Sequence, residues 1–219
     1  VFKHPTAYTW SVGMQREIPY GFTVDATYVG RRGLYLQRER NINQPDPGTV
    51  QRNPGVNIAA LRPYTGYGAL RLSENAGNSK HHSLQLTADR RYMNSLKVGV
   101  AYTLSKSEDN ASDKRNVVWN TYDDAGFWGP ANFDRRHVFN FYYIYDLPFW
   151  RDQTTLVKNL LGGWQISGAT FMRSGRPVSV VRTNLDTAGV GDPAFGQPVD
   201  LVGDINAGAN REFSNGAAS

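Results

Sequence analysis

The side chains best suited to chemistry lie in the polar stretch 108–134, where acidic and aromatic residues stand close together. Aromatic rings stack on sugar or peptide faces, and carboxylates accept hydrogen bonds from hydroxyls and amides. We therefore predict that ligand contact, where this chain makes any, comes from this stretch. The candidate ligand-binding residues are Trp119, Tyr122, Asp123, Asp124, Phe127 and Trp128.

Two other interpretations of 108–134 stay open. Its carboxylates, which include Glu108, Asp109 and Asp113, are ligands that Ca²⁺ prefers. Their spacing matches no EF-hand, and a solvated loop would have the same composition. Where the stretch ends, at 129–137, we expect a turn at Gly129-Pro130 and a pairing of Asp134 with an arginine.

Other reactive groups do not assemble into a catalytic or metal site. The chain has no cysteine and no Gly-x-Ser-x-Gly motif, which removes the thiolate and nucleophile-elbow chemistries. His81 and His82 are adjacent, so on a strand they point to opposite faces, while His4 and His137 stand alone. We predict no enzyme activity, no metal and no cofactor.

Composition excludes two further classes. The mean hydropathy of −0.51 is too polar for a helical membrane protein, and no apolar run approaches the 18 or more residues that a spanning helix needs. The net charge of +5 comes from scattered basic residues, whereas nucleic-acid binders cluster them on one face. Barrel strands alternate apolar and polar residues, so a low hydropathy still permits a β-barrel.

Hydrophobic alternation with a period of two dominates the chain. It predicts antiparallel strand pairs of 7–18 with 22–37, 82–92 with 96–107, and 135–147 with 163–180, the first two joined by tight turns. The predicted dry face comprises Val12, Val24, Leu84, Leu86, Val98, Val100, Phe139, Phe141 and Tyr143. The predicted wet face comprises Gln15, Asp25, Gln85, Thr103, Asn140 and Gln165, and Asp25 and Asp89 are each expected to stand alone there.

The strands of a soluble β-sandwich would also alternate apolar and polar residues, but three features favour a membrane barrel. The predicted strands are about twice the usual length of about five or six residues. Their polar faces are rich in small and amide side chains, as a wet lumen requires. Aromatic residues gather near strand ends, as at membrane interfaces. The fold class is therefore all-β, an antiparallel transmembrane β-barrel segment.

Connections alternate between short turns and long polar loops, as in outer-membrane barrels with short periplasmic turns and long extracellular loops. We assign 39–79, 108–134 and 181–219 to extracellular loops of one β-barrel domain covering 1–219, with 67–74 as a strand extension above the membrane. Six spanning strands result. Closed single-chain barrels begin at eight, so we expect the chain to be part of a larger barrel or to meet other copies of itself.

Several segments, taken in order, resemble the Oar-like TonB-dependent receptors, which carry a carboxypeptidase-regulatory-like domain. The resemblance covers most of 8–180. The segments that carry it are RPYTGYG at 62–68, NS at 78–79, SLQL at 83–86, AYTLSKSED at 101–109, GPANFDRRH at 129–137, YDLPF at 145–149, LGGWQISG at 161–168 and SGRP at 174–177.

The resemblance implies the C-terminal part of a 22-stranded barrel in the outer membrane of a Gram-negative bacterium. It implies an internal plug, a TonB complex reached through N-terminal parts, and uptake of peptides, glycans or chelates. The expected partners are then outer-membrane lipid and the remainder of the barrel, and no nucleic acid. One alternative stays open, a structural or adhesive protein that self-associates through open strand edges. A small closed eight-stranded barrel is a further possibility, but 181–219 contains no clean alternation, which argues against it.

Overall fold

A computed structural model describes residues 3–115, 117–118, 120–123, 125–149 and 162–178, together with the strand positions 181–182 and 197–198. The long strands in these residues are β1 (Thr6–Ile18), β2 (Phe22–Asn41), β3 (Arg71–Met93), β4 (Leu96–Asp109), β7 (His137–Asp146) and β8 (Gln165–Arg173). The short ones are β5 (Val117–Val118), β6 (Gly129–Pro130), β9 (Val181–Arg182) and β10 (Gln197–Pro198). Two single-turn helices, α1 (Thr49–Arg52) and α2 (Ile58–Leu61), lie between β2 and β3.

The long strands form one antiparallel sheet in the order β1-β2-β3-β4-β7-β8, so each pairs with its neighbour along the chain. The three predicted strand pairs are confirmed. Strand β5 adds to β2 in parallel and β6 to β4 in antiparallel orientation, which ties the β4–β7 connection back onto the sheet. No described helix is long and apolar enough to cross a membrane.

Strand bounds differ from the predicted ones mainly at the loop end. Strand β2 runs on to Asn41, and β3 is continuous from Arg71, so the segment predicted as a strand extension belongs to β3 from that residue onward. The β2–β3 connection is therefore 42–70 rather than 39–79. Strand β8 ends at Arg173, where the sequence predicts a strand to 180. Most of 181–219 lies outside the described residues, although β9 and β10 pair within it.

The register confirms the two predicted faces. Directly opposed residues of an antiparallel sheet point to the same side. One row across the sheet joins Val24, Ala88, Val100, Phe141 and Thr170. The next row towards the loops joins Met14, Ala26, Leu86, Tyr102, Phe139 and Met172. Apolar side chains on this face are exposed, Met14 by 78% and Met172 by 55%.

Both short turns have a local cause. Between β1 and β2, Pro19 begins a 3₁₀ turn in which Tyr20 and Gly21 take positive φ angles of 69° and 75°. Between β3 and β4, Asn94 and Ser95 take φ of 51° and 64°, the two left-handed positions of a type I′ hairpin. These turns fix the register of their strand pairs, and they lie at the end of the sheet opposite the long connections.

Candidate functional site

Three polar side chains with no exposed surface lie where β2 leaves the sheet: Asn41, Asn43 and Gln44. The Asn43 carboxamide oxygen accepts from the Tyr64 backbone N–H at 2.7 Å. Its NH₂ group faces the carbonyl oxygens of Tyr64 at 3.0 Å, Tyr67 at 3.1 Å and Gly68 at 2.8 Å. One side chain therefore shapes the whole 62–68 segment.

Asn41 closes the base of the same connection. Its Oδ1 accepts from the backbone N–H groups of Asn43 at 3.1 Å and Leu70 at 3.0 Å. The Ile42 N–H donates to the Leu70 carbonyl at 2.8 Å. Buried polar groups need such partners, so the 42–70 connection is a built structure above β2 and β3.

The β4–β7 connection docks on that structure through Thr121 and Tyr122. The Thr121 N–H donates to Gln44 Oε1 at 2.7 Å, and its hydroxyl donates to the Asn41 carbonyl at 2.6 Å. The Tyr122 hydroxyl donates to the Gln44 carbonyl at 2.7 Å. Burial, with the Asp46 carboxylate nearby, raises the pKa of Tyr122. We call residues 41–44, 62–68 and 120–122 the loop platform.

The platform presents aromatic rings to solvent. Tyr64 is 52% exposed, Tyr67 64% and Tyr122 49%, although the backbone or hydroxyl of each is hydrogen-bonded. The Tyr122 ring is fixed through its hydroxyl, and Tyr64 and Tyr67 are fixed through their backbone. Residues fixed in this way have less conformational freedom to lose when a ligand binds. The arrangement is therefore suited to stacking on a sugar ring or a peptide.

A buried ion pair supports the platform from below. Arg38 Nε lies 3.0 Å from Glu74 Oε1, and Arg40 Nη2 contacts Glu74 Oε2. The Arg38 and Glu74 side chains are only 5% and 14% exposed. Breaking such a pair leaves a buried charge without compensation, so it holds the loop end of β2 against β3.

Asp134 fixes the segment that leads into β7. The Asp134 Oδ1 accepts from the Ser107 backbone N–H at 2.7 Å. The predicted pairing of Asp134 with an arginine is wrong, since no such ion pair appears among the residues described. The Ala131 N–H donates to the Ser107 carbonyl at 2.9 Å. Because a carboxylate accepts strongly from backbone N–H groups, Asp134 serves as a backbone anchor.

Asp109 makes a second anchor in this connection. The Ser112 hydroxyl lies 2.9 Å from each Asp109 carboxylate oxygen and itself accepts from the Asn132 N–H at 2.9 Å. Burial raises the pKa of Asp109, and the hydrogen bond from Ser112 opposes this shift. Asp109 is 6% exposed, so this acidic residue of the predicted stretch is enclosed rather than open to a ligand.

The sequence-predicted ligand residues are held by different parts of the chain. Tyr122 belongs to the loop platform, whereas Trp128 lies under the Lys80 ammonium of β3, 5.2 Å from the ring centroid. Asp123 is exposed, and Phe127 is half-buried in the turn before β6. Trp119 and Asp124 lie outside the described residues. Within the described part of the chain no three acidic or histidine side chains group into a metal site.

Sequence reasoning missed Asn41, Asn43 and Gln44, whose only signal is a run of amides directly after a strand. It also set Asp25 and Asp89 alone on the wet face, and that expectation is wrong. Asp25 accepts from the Thr27 hydroxyl at 2.9 Å, and Asp89 accepts from the Tyr142 hydroxyl at 2.6 Å.

His81 and His82 point to opposite faces, as predicted. On the wet face, His81 Nδ1 lies 2.8 Å from Ser107 Oγ, beside a cavity of 530 Å³ that Arg31 and Phe133 also line. A serine–histidine pair needs an orienting acid for nucleophilic catalysis. The nearby Asp134 uses its Oδ1 to accept from the Ser107 backbone N–H, so that oxygen does not orient the His81 ring.

Comparison with known proteins finds one family. A family model described as an outer membrane beta barrel domain matches residues 1–218. Neither the curated proteins nor the solved structures give a match.

Proposed function

Since the chain belongs to the outer membrane beta barrel domain family, we propose that it supplies wall and extracellular loops to a TonB-dependent transporter for a large ligand. The family places the chain in the outer membrane of Gram-negative bacteria. The proposed ligand is a peptide, a glycan or a chelate. The single observation that carries the proposal is the loop platform. A barrel with no ligand to bind would not need buried amides that fix the segments carrying exposed aromatic rings.

The wall supports the proposal as well. One row of its wet face carries Gln15, Asp25, Thr87, Ala101 and Asn140 before it ends at Phe171. The first five are small or polar side chains suited to a wide aqueous lumen. Among the described residues β1 and β8 each pair on one side, so the sheet is open. Open edges in lipid leave backbone groups without partners. We propose that further strands of a larger barrel cover them, with a plug inside.

The ordered sequence resemblance to Oar-like receptors favours energised uptake over passive diffusion. We propose that the TonB complex reaches this protein through segments N-terminal to the barrel. The test is growth of the source bacterium on peptides, oligosaccharides or iron chelates as sole nutrient source, with and without the gene. Loss of growth on one class supports the proposal.

An uncoupler then separates transport from binding. We expect that collapse of the proton gradient stops uptake of the labelled nutrient while the cells still bind it. Growth unaffected on every class, or uptake that continues in the uncoupler, would contradict TonB-dependent transport.

A second candidate function rests on the open edges of β1 and β8. Exposed strand edges recruit further strands, so copies of this chain could join into a sheet or fibre with a structural or adhesive role. Chemical cross-linking of intact cells distinguishes the two. A ladder of multiples of this chain supports self-assembly, and a single closed species supports the transporter.

A further inference from the structure

The outward face of the sheet carries an aromatic and histidine girdle just below the long connections. On β2 and β3, the Tyr28 hydroxyl lies 2.7 Å from His82 Nδ1, with the rings stacked at 6.2 Å and 23°. On β4 and β7, the Tyr102 hydroxyl lies 2.7 Å from His137 Nδ1, with the rings at 6.1 Å and 24°. The same diagonal cross-strand pair thus occurs twice on one face.

The two pairs lie at different positions along their strands, and the difference matches the strand tilt of a barrel. Tyr28 opposes Leu84, which opposes Leu104, so Tyr102 lies two residues closer to the short turns than Tyr28 does. Tyr28 and Tyr102 are on strands two apart. The axes of β2 and β4 are about 9.6 Å apart. If the strands tilt by about 40°, points at equal depth in the membrane differ by about 8 Å, or about two residues, in their position along these two strands. Both pairs therefore lie at one depth.

That depth is the membrane boundary on the loop side. Ten residues of β3 separate His82 from Tyr92 at the short turn. At about 3.4 Å per residue and a tilt of about 40°, they span about 26 Å, close to the apolar band of about 25 Å in outer-membrane barrels. Long loops are extracellular in these barrels, so the girdle faces the outer leaflet.

Four exposed cations lie just beyond the girdle, towards the loops: Arg32, Lys80, Lys106 and Arg136. We call them the basic rim. Arg32 and Lys80 are directly opposed in the register, and Glu108 opposes Lys80 and lies 2.5 Å from Lys106 Nζ. Four cations and one carboxylate give these positions a net charge of +3, directly above an apolar surface.

Cations and apolar side chains meet in one shallow depression of 240 Å³ on this face. It is lined by His82, Lys106 and Arg136 together with Tyr28, Leu84 and Leu104. Leu84 is 40% and Leu104 37% exposed. A ligand that fits must combine an anionic head with an apolar chain, because the charged residues lie on the loop side and the leucines on the membrane side.

We propose that the basic rim binds the phosphate groups of an outer-leaflet glycolipid of the lipid A type, with an acyl chain over Leu84 and Leu104. Arginine forms bidentate hydrogen bonds with phosphate, and lysine binds it as a point charge. The acyl chain and the position at the leaflet boundary favour a lipid over a soluble anion. This inference rests on the barrel fold and its membrane and not on the proposed transport.

The test is native mass spectrometry of the protein purified from outer membranes in mild detergent, followed by titration with bisphosphorylated lipid A. For Lys106→Gln combined with Arg136→Gln we expect about tenfold weaker binding, as for the loss of a charge-assisted hydrogen bond. The matched control, Arg16→Gln with Arg90→Gln, changes two cations of the same face near the short turns. It should bind as the unchanged protein does.

Three results would overturn the proposal. They are unchanged binding by the rim variant, equal loss in the control, and equal binding of phosphatidylethanolamine by the unchanged protein. Displacement of lipid A by millimolar inorganic phosphate would also overturn it, by assigning the rim to a soluble anion. Heat-modifiable migration on gels checks barrel assembly, and if the double variant does not assemble, Arg136→Gln alone decides the outcome.

Discussion

The Tyr142 hydroxyl on β7 donates to the Asp89 carboxylate on β3 at 2.6 Å, although β4 lies between the two strands. The bond is possible because Gly99 is the residue of β4 that the tyrosine ring crosses. A Cβ added to Gly99 would lie 2.2 Å from the ring. Three strands of the wet face are therefore joined by one side chain over one glycine.

Gly99→Ala should destabilise the folded barrel by about 1–3 kcal/mol, because the methyl group displaces the Tyr142 ring and breaks its hydrogen bond. Urea unfolding in lipid vesicles measures the change. Gly175→Ala is the matched control, since nothing lies within 4 Å of its added Cβ. Combining Gly99→Ala with Tyr142→Ala should cost less than the sum of the two single changes, and strict additivity would contradict the coupling.

Val100→Arg should cost about 2–4 kcal/mol of barrel stability if that residue lies near the bilayer midplane. Val100 sits between Ala88 and Phe141 in an outward row. Gln85→Lys, one strand away on the wet face, should be close to neutral. The same urea titration in vesicles compares the two, and equal harm from both would show that the faces are assigned wrongly.

Asn43→Asp should loosen the loop platform almost as much as Asn43→Ala. The aspartate keeps the acceptor for the Tyr64 N–H but lacks the NH₂ group that faces three carbonyls. Each buried group left without a partner costs about 1–3 kcal/mol. Hydrogen exchange of 62–70 should accelerate in both variants, while exchange within β7 should not. Unchanged protection at 62–70 in Asn43→Asp would show that the NH₂ contacts contribute nothing.

Asp109 should make the anchoring of the β4–β7 connection depend on pH. Burial raises its pKa in the folded state, so its contribution to stability is fully present below the ordinary carboxyl pKa. This contribution is lost as the pH rises through the raised pKa of Asp109 in the folded state. The protection factor of the Ala131 amide should fall across that window. Asp109→Asn keeps an acceptor for Ser112 and should remove the fall, and a fall that persists would assign it to another group.

Trp119→Ala with Trp128→Ala tests the ligand role predicted for the 108–134 stretch. We expect weaker binding of the imported nutrient to cells, because both rings can stack on it. Tyr64→Ala with Tyr67→Ala is the parallel test of the loop platform. Unchanged affinity in the first pair and loss in the second would place recognition on the platform alone, provided that both variants assemble.

Much of the wall could be predicted from the amino-acid sequence. Because successive strand side chains point to opposite faces, alternation alone assigns Val100 and Phe141 to the dry face and Gln85 and Asn140 to the wet one. The two short turns follow equally directly from local residues. Strand pairing also follows, since neighbouring strands joined by tight turns pair with each other.

The loops could not be predicted in the same way, because their contacts follow no period. Asn41 and Thr121 are 80 positions apart and meet through a hydrogen bond, which depends on how two connections fold over the sheet. Asp134 bonds to a backbone N–H rather than to an arginine for the same reason. Composition and spacing determined the barrel wall of this protein. Only the tertiary structure decided the platform and the basic rim, because both join residues that are adjacent in space through the sheet register and loop packing.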